Sequence, residues 1–284
     1  MKIAICFYGL AGKMKNFQSS AEWLQNSADE SLGCDLSYNH YKHHIFDKND
    51  NIDIFLHTWS IEQEDELKEL YKPKDSIFEK QKEFEGIKLD SEGKPHRKTW
   101  GAFSRWYSTK KSIELKTKYE LENNFTYDCV MLTRFDISFM TDLIFNKYDM
   151  NYIYASGQKN KNHVHVSSNK FISDWWFFSN SNVMNEFSKV YDELDEIGPY
   201  GGWQDQHRMS KAKIIKMGMN DKIKYLFNRD DDNKLTRELI NNPQCRCRGN
   251  WWYHNEKTNT FYPDKNLPMS ELNPGTKIHK DWKY

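Results

Sequence analysis

The chain has 284 residues, enough for one large domain or two small ones and for a sizeable buried core. Its 41 lysines and arginines balance 41 aspartates and glutamates, so no bulk field favours nucleic acid or an anionic membrane. Apolar residues make up only 38%, but aromatics reach 15%, which excludes a disordered chain and supplies rings of the kind that line carbohydrate sites as well as cores.

Residues 2–8 (KIAICFY) form an apolar, β-rich run ending at Gly9, and the polar stretch after it predicts a helix around Ser20–Asn26. Residues 52–57 (IDIFLH) repeat the strand signature, so strand, helix, strand at this spacing predicts a βαβ opening and a parallel sheet with right-handed crossovers. Residues 60–98 are highly charged and read as a surface excursion carrying a helix near Glu62–Tyr71. A long helix is predicted from Thr99 to about Asn123, with Phe103, Trp106, Tyr107 and Ile113 on one side and Lys116 and Glu120 among the charges on the other. It leads into a third strand at 128–133, followed by Arg134-Phe135-Asp136.

Further β-like runs lie at 152–156 and 174–179. Val183, Phe187, Val190, Tyr191, Leu194 and Ile197 hold helical periodicity and predict a helix over 182–197 stopped by Gly198-Pro199, with another over 204–217. From Asp230 the texture changes, which predicts one domain over 1–229 with an irregular extension, 230–284, packed on it. No apolar run is long enough to span a membrane and the start lacks a signal-peptide cleavage pattern, so a soluble, cytoplasmic protein is expected. The five cysteines contain no Cys-x-x-Cys pair; Cys6 and Cys129 sit in apolar runs and read as small buried hydrophobes, while Cys245 and Cys247 lack partners at zinc spacing.

The sharpest chemical feature is Thr133-Arg134-Phe135-Asp136 directly after a strand. Ligands of open α/β sheets bind outside the carboxyl ends of strands, and alternation places Arg134 and Asp136 on one side, where a cation meets phosphate and a carboxylate holds a divalent metal or a sugar hydroxyl. The competing interpretation is an ion pair capping the strand end. His163 and His165 in a polar loop and Asp230–Asp232 read as solvated groups, and the late His279 lacks a matching context for a metal ligand.

Ser104-Arg-Trp-Tyr-Ser108, Tyr127-Asp-Cys-Val130 and Thr133-Arg-Phe-Asp-Ile137, together with the openings KIAICFYGL and Asp53-Ile-Phe-Leu-His-Thr-Trp59, resemble the glycosyltransferase-like proteins of the nucleotide-diphospho-sugar transferase (GT-A) fold in which R-x-D replaces D-x-D. Asp174-Trp-Trp-Phe-Phe178 and Trp203-Gln-Asp-Gln206 follow in the same order, so the resemblance spans about residues 1–225. It implies a three-layer α/β/α sandwich with a mostly parallel central sheet, and donor contacts from Tyr8, Gly9, Leu10, Lys13, Thr58, Trp59, Arg134 and Asp136.

Asp136 matches the second aspartate of D-x-D, which implies Mn2+ or Mg2+ on the donor diphosphate. Because Arg134 stands where the first aspartate would be, either Asp136 holds the metal with later residues or Arg134 and lysines neutralise the diphosphate without one. Inverting transfer needs a carboxylate base, for which Asp205 is the first candidate and Asp174 its rival; Trp175, Trp176 and Trp203 are candidates for stacking on an acceptor sugar.

The expected function is therefore transfer of a sugar from a nucleotide donor such as a UDP-sugar to an oligosaccharide or glycan hydroxyl, in surface polysaccharide or glycan synthesis. The alternatives are a non-catalytic carbohydrate-binding or glycan-assembly protein and a sugar nucleotidyltransferase. The last wants a glycine-rich basic loop, of which Gly9-Leu10-Ala11-Gly12-Lys13 is a faint version.

Overall fold

A computed structural model describes residues 1–11, 34–85, 97–157, 172–201, 206–228, 232–236, 251–255 and 260–264. The helix expected around Ser20–Asn26 and cysteines 245 and 247 lie outside these residues. In chain order the elements are β1 (Ile3–Gly9), α1 (Cys34–His44), β2 (Ile52–Thr58), α2 (Glu64–Tyr71), β3 (Asp75–Phe78), α3 (Arg97–Glu122), β4 (Cys129–Arg134), β5 (Ile137–Phe139) and β6 (Ile153–Gly157). They continue with β7 (Trp176–Ser179), α4 (Ser181–Phe187), α5 (Leu194–Gly201), α6 (Gln206–Lys216), β8 (Ile223–Asn228), β9 (Asn233–Leu235), β10 (Trp251–Asn255) and β11 (Thr260–Asp264).

A seven-stranded sheet runs β3-β2-β1-β4-β7-β6-β8, all parallel except β7, which is antiparallel to both neighbours. β1 is central and covered on both faces, which is why it reads as a continuous apolar run instead of an alternating one. Its odd residues Ile3, Ile5 and Phe7 pack with Tyr41 of α1 and with Leu67 and Tyr71 of α2. Its even residues Ala4, Cys6 and Tyr8 pack with Ala102, Trp106 and Ile113 of α3. These two clusters on opposite faces make three layers, helix, sheet and helix. Cys6 and Cys129 are free and buried as expected, and burial pushes the Cys6 thiol up to about 12.

Three differences from the sequence reading have physical causes. The predicted 182–197 helix is broken into α4, a 3-10 turn over Ser188–Val190, and α5, with the Ser188 hydroxyl donating to the Asn185 carbonyl at 2.8 Å where the α-helix ends. Phe187, Val190, Leu194 and Ile197 all stay buried, so the apolar spacing survives the break, and α5 continues past Pro199 to Gly201. α1 was not anticipated because half of its buried stripe, Leu36, Ser37, His40 and Tyr41, is polar.

Lys116 and Glu120 are not on the solvent face of α3: Lys116 Nζ donates to Glu120 Oε2 (2.7 Å), Ser181 Oγ (2.6 Å) and Asn185 Oδ1 (2.6 Å), tying α3 to α4. β9 pairs antiparallel with β5, so the first part of the C-terminal segment joins the strand leaving Asp136; β10 and β11 form a separate hairpin.

Candidate functional site

The connection from β1 to β2 carries α1 on one face of the sheet, whereas the connection from β3 to β4 carries α3 on the other. The topology therefore reverses between β1 and β4, and the carboxyl ends of these two strands flank the crevice where open α/β sheets take ligands. Tyr8 and Arg134 are register partners at this point.

Gly9, next along β1, has φ +96°, a backbone that a side chain would strain, and its turn is tied on three sides. Its N–H donates to Ser108 Oγ (2.8 Å), its carbonyl accepts from the Trp59 N–H (3.3 Å), and the Ala11 N–H donates to Ser60 Oγ (3.1 Å). Ser108 Oγ also lies 2.7 Å from His57 Nδ1, and His57 Nε2 lies 2.8 Å from Glu79 Oε1. This serine, histidine and glutamate have the composition of a nucleophilic triad, but Ser108 and His57 are fully buried and the hydroxyl is committed to Gly9, so the group is a brace for the turn. Burial pushes the His57 imidazole below its ordinary range, against the upward pull of Glu79.

Across the crevice, the segment entering β7 brings in Asp174. Tyr8 Oη donates to the Asp174 carbonyl (2.9 Å), and Arg105 Nη2, from α3, donates to both Tyr8 Oη (3.0 Å) and that carbonyl (3.1 Å). The Asp174 carboxylate lies 3.5 Å from Arg105 Nε and 3.3 Å from Nδ1 of His207, at the start of α6. The Asp174 N–H is held by His207 Nδ1 at 3.1 Å. Burial raises the Tyr8 phenol, with Arg105 opposing, so it stays a neutral donor. Sequence reading included Arg105 within a motif without a role and passed over His207; only the fold brings α3, β1 and α6 to one point.

Arg134 grips Asp136 in a two-point fork, Nε to Oδ1 and Nη2 to Oδ2, each 2.8 Å. Burial opposes the Arg134 charge, but Asp136 wins and holds its pKa above the ordinary value. Tyr41 Oη anchors the strand end by donating to the Arg134 carbonyl at 2.6 Å. The expected metal role of Asp136 meets a poor donor set here: both carboxylate oxygens face a guanidinium, and the described residues contain no group of three His, Cys, Asp or Glu side chains placed for an ion. The described side chains do not fit Mn2+ or Mg2+.

Other expected contacts divide plainly. Leu10 follows Gly9 and is half-buried at the crevice end of β1. Thr58 and Trp59 are buried, Thr58 Oγ1 accepting the Ser60 N–H (3.1 Å) and Trp59 stacking on Tyr107 (5.5 Å), so both support the turn without exposing an edge. Trp175 and Trp176 are 2% and 0% exposed and belong to one core cluster, which corrects their assignment to acceptor stacking. Trp176 packs against the rings of Phe139 and Phe227, each with its centroid 6.0 Å away, and Trp175 precedes the strand, where alternation has not begun. Asp232 is tied back by Thr141 Oγ1 (2.8 Å). Lys13, Trp203, Asp205, His163, His165 and His279 lie outside the described residues.

No protein-family model matches the chain, and no curated protein matches it in sequence. Among solved structures, the nucleoside-diphosphate-sugar pyrophosphorylase from Vibrio cholerae has 10% identity and a TM-score of 0.42 over 83% of this chain and 95% of that one. The bifunctional IspDF from Campylobacter jejuni has 14% identity and a TM-score of 0.43 over 84% of this chain and 53% of that one. The 4-diphosphocytidyl-2C-methyl-D-erythritol synthase from Anaerococcus prevotii has 10% identity and a TM-score of 0.40 over 79% and 86%. The strand order, the single reversed strand β7 and the helices on both faces give this chain a GT-A-like α/β fold. Among the described residues, no helix is long and apolar enough to cross a membrane.

Proposed function

We propose that this chain is a transferase that takes a nucleotide diphosphate sugar and passes the sugar to a hydroxyl of a glycan acceptor. The observation that carries this reading is the Tyr8–Arg134 pair at the reversal point of the sheet, with Asp174 and His207 brought beside it. In this reading the donor lies along Gly9 and Leu10, with Lys13 and Arg134 toward its diphosphate. Asp136 is a positioning residue that holds the Arg134 guanidinium at the strand end. As the anomeric C–O bond breaks, negative charge grows on the leaving diphosphate, and a prefixed guanidinium stabilises it. The acceptor proton goes to a carboxylate, Asp205 or Asp174, the latter lying beside Arg105 and His207.

Nucleotidyl transfer is the second reading, favoured by the left-handed turn at Gly9 heading the Gly9-Leu10-Ala11-Gly12-Lys13 segment. One experiment separates them. UDP-, GDP-, CDP- and dTDP-sugars are screened for a rise in melting temperature, and a hit is then assayed with glycan acceptors for nucleoside diphosphate release and with pyrophosphate for exchange into nucleoside triphosphate. Diphosphate release coupled to acceptor modification supports glycosyl transfer. Pyrophosphate exchange replaces it with the second reading, and the absence of any thermal shift overturns both.

A further inference from the structure

We infer that Arg105 binds the anionic part of the ligand in this crevice, presenting Nη1 to a phosphoryl oxygen of the diphosphate. The inference rests on the nucleotide-sugar reading and adds to it a cation from α3, outside the strand-end motif. Its side chain is 10% exposed and its guanidinium is fixed by neighbours, lying 3.8 Å from the Trp106 ring centroid and 5.0 Å from that of Tyr8. Nη2 spends its two N–H groups on Tyr8 Oη and the Asp174 carbonyl. Among the described residues, Nε has only the 3.5 Å ion-pair approach to Asp174, and Nη1 is buried with no acceptor.

A buried cationic donor without an acceptor is costly, so folded proteins retain one where a ligand completes it. Phosphate is the matching chemistry, since a rigid, permanently charged fork suits phosphoryl oxygens better than a point charge does. Two more buried polar atoms without partners among the described residues belong to residues beside this one's partners: Ser173 Oγ, preceding Asp174, and Gln206 Oε1, preceding His207. An acceptor at Gln206 and a hydroxyl at Ser173 suit the hydroxyls of a sugar. The combination of anion donor and hydroxyl partners points to a phosphorylated sugar as the group held at this end of the crevice.

The test uses the full chain and two probes, inorganic pyrophosphate and the nucleoside diphosphates UDP, GDP, CDP and dTDP, titrated by calorimetry without added metal. For wild type, Arg105→Gln and Arg105→Lys, the readout is how much more tightly each nucleoside diphosphate binds than its parent nucleoside. Loss of a charge-assisted contact weakens pyrophosphate and the diphosphate increment by about tenfold or more in Arg105→Gln, leaving nucleoside affinity unchanged. Equal pyrophosphate affinity in wild type and Arg105→Gln overturns the inference while the nucleotide-sugar reading stands. Wild type that binds none of the probes overturns both. If Arg105→Gln does not fold, the guanidinium 15N resonances of Arg105 in wild type decide the matter: a shift on adding pyrophosphate supports the role and none refutes it.

Discussion

Asp136 shows how one side chain changes meaning between chain and fold. Beside Arg134 in sequence it reads as a metal ligand or an ion pair; in space both of its oxygens accept from the guanidinium at 2.8 Å. Asp136→Ala is expected to destabilise the protein by roughly 1–3 kcal/mol, because it leaves a largely enclosed guanidinium without its partner. Adding Arg134→Ala to that variant should recover part of the loss, and a double-mutant cycle by urea unfolding measures the coupling. Additive losses would show that the fork contributes nothing to stability. For the base, Asp205→Asn is expected to lower transfer at least a hundredfold with donor affinity little changed, since the amide keeps size and loses basicity. If Asp174→Asn gives that result instead, the roles exchange; if neither does, the acceptor proton leaves by another route, such as the departing phosphate.

At the scale of elements, the end of β1 depends on a brace that its own residues do not reveal. The Gly9 turn hangs from Ser108 on α3, Ser108 from His57 on β2, and His57 from Glu79 beyond β3. Gly9→Ala meets no steric obstacle among the described residues, none of which lies within 4 Å of the added carbon, so the expected cost is conformational, about 1–2 kcal/mol at φ +96°, seen as a lower melting temperature.

The brace also predicts a pH dependence. His57 is held below its ordinary value of 6.5, so the unfolded chain binds more protons than the folded one once the pH drops through that value. The stability is complete above pH 6.5 and is lost as the solution becomes more acidic. Melting scans from pH 8 to pH 5 should show this slope, and His57→Gln should flatten it. His44, also lowered mainly by burial, supplies the slope left over. An unchanged slope in His57→Gln would remove His57 from the account.

For the molecule as a whole, the helices that cover one face of the sheet are joined differently from what composition suggests. Lys116, fully buried, binds Glu120, Ser181 and Asn185, and Glu120 Oε1 also accepts from the Ser181 hydroxyl and the Tyr127 N–H (2.8 Å). Lys116→Ala is expected to cost about 3–5 kcal/mol by leaving Glu120 buried without its cation, measured as a lower urea midpoint at unchanged slope. Lys116→Met with Glu120→Gln should recover much of it; a Lys116→Ala variant as stable as wild type would show that the pair carries no weight.

The strands β1, β2 and β4 and the helix α3 were legible in the sequence because each buries enough apolar surface to leave a local pattern. The same locality made the α/β class and the strand-end position of Arg134 and Asp136 readable, since a strand's end follows from its own residues. Tertiary structure alone decided the rest. The polar stripe of α1 became a buried face only by packing on β5 and β1, and Lys116 became interior only when α4 covered it. Arg105, Tyr8, Asp174 and His207 stand at distant chain positions and meet through hydrogen bonds that no periodicity encodes. Local patterns specify which face of an element is apolar, but a polar site is built where several elements end, and its members are chosen by the topology that brings those ends together.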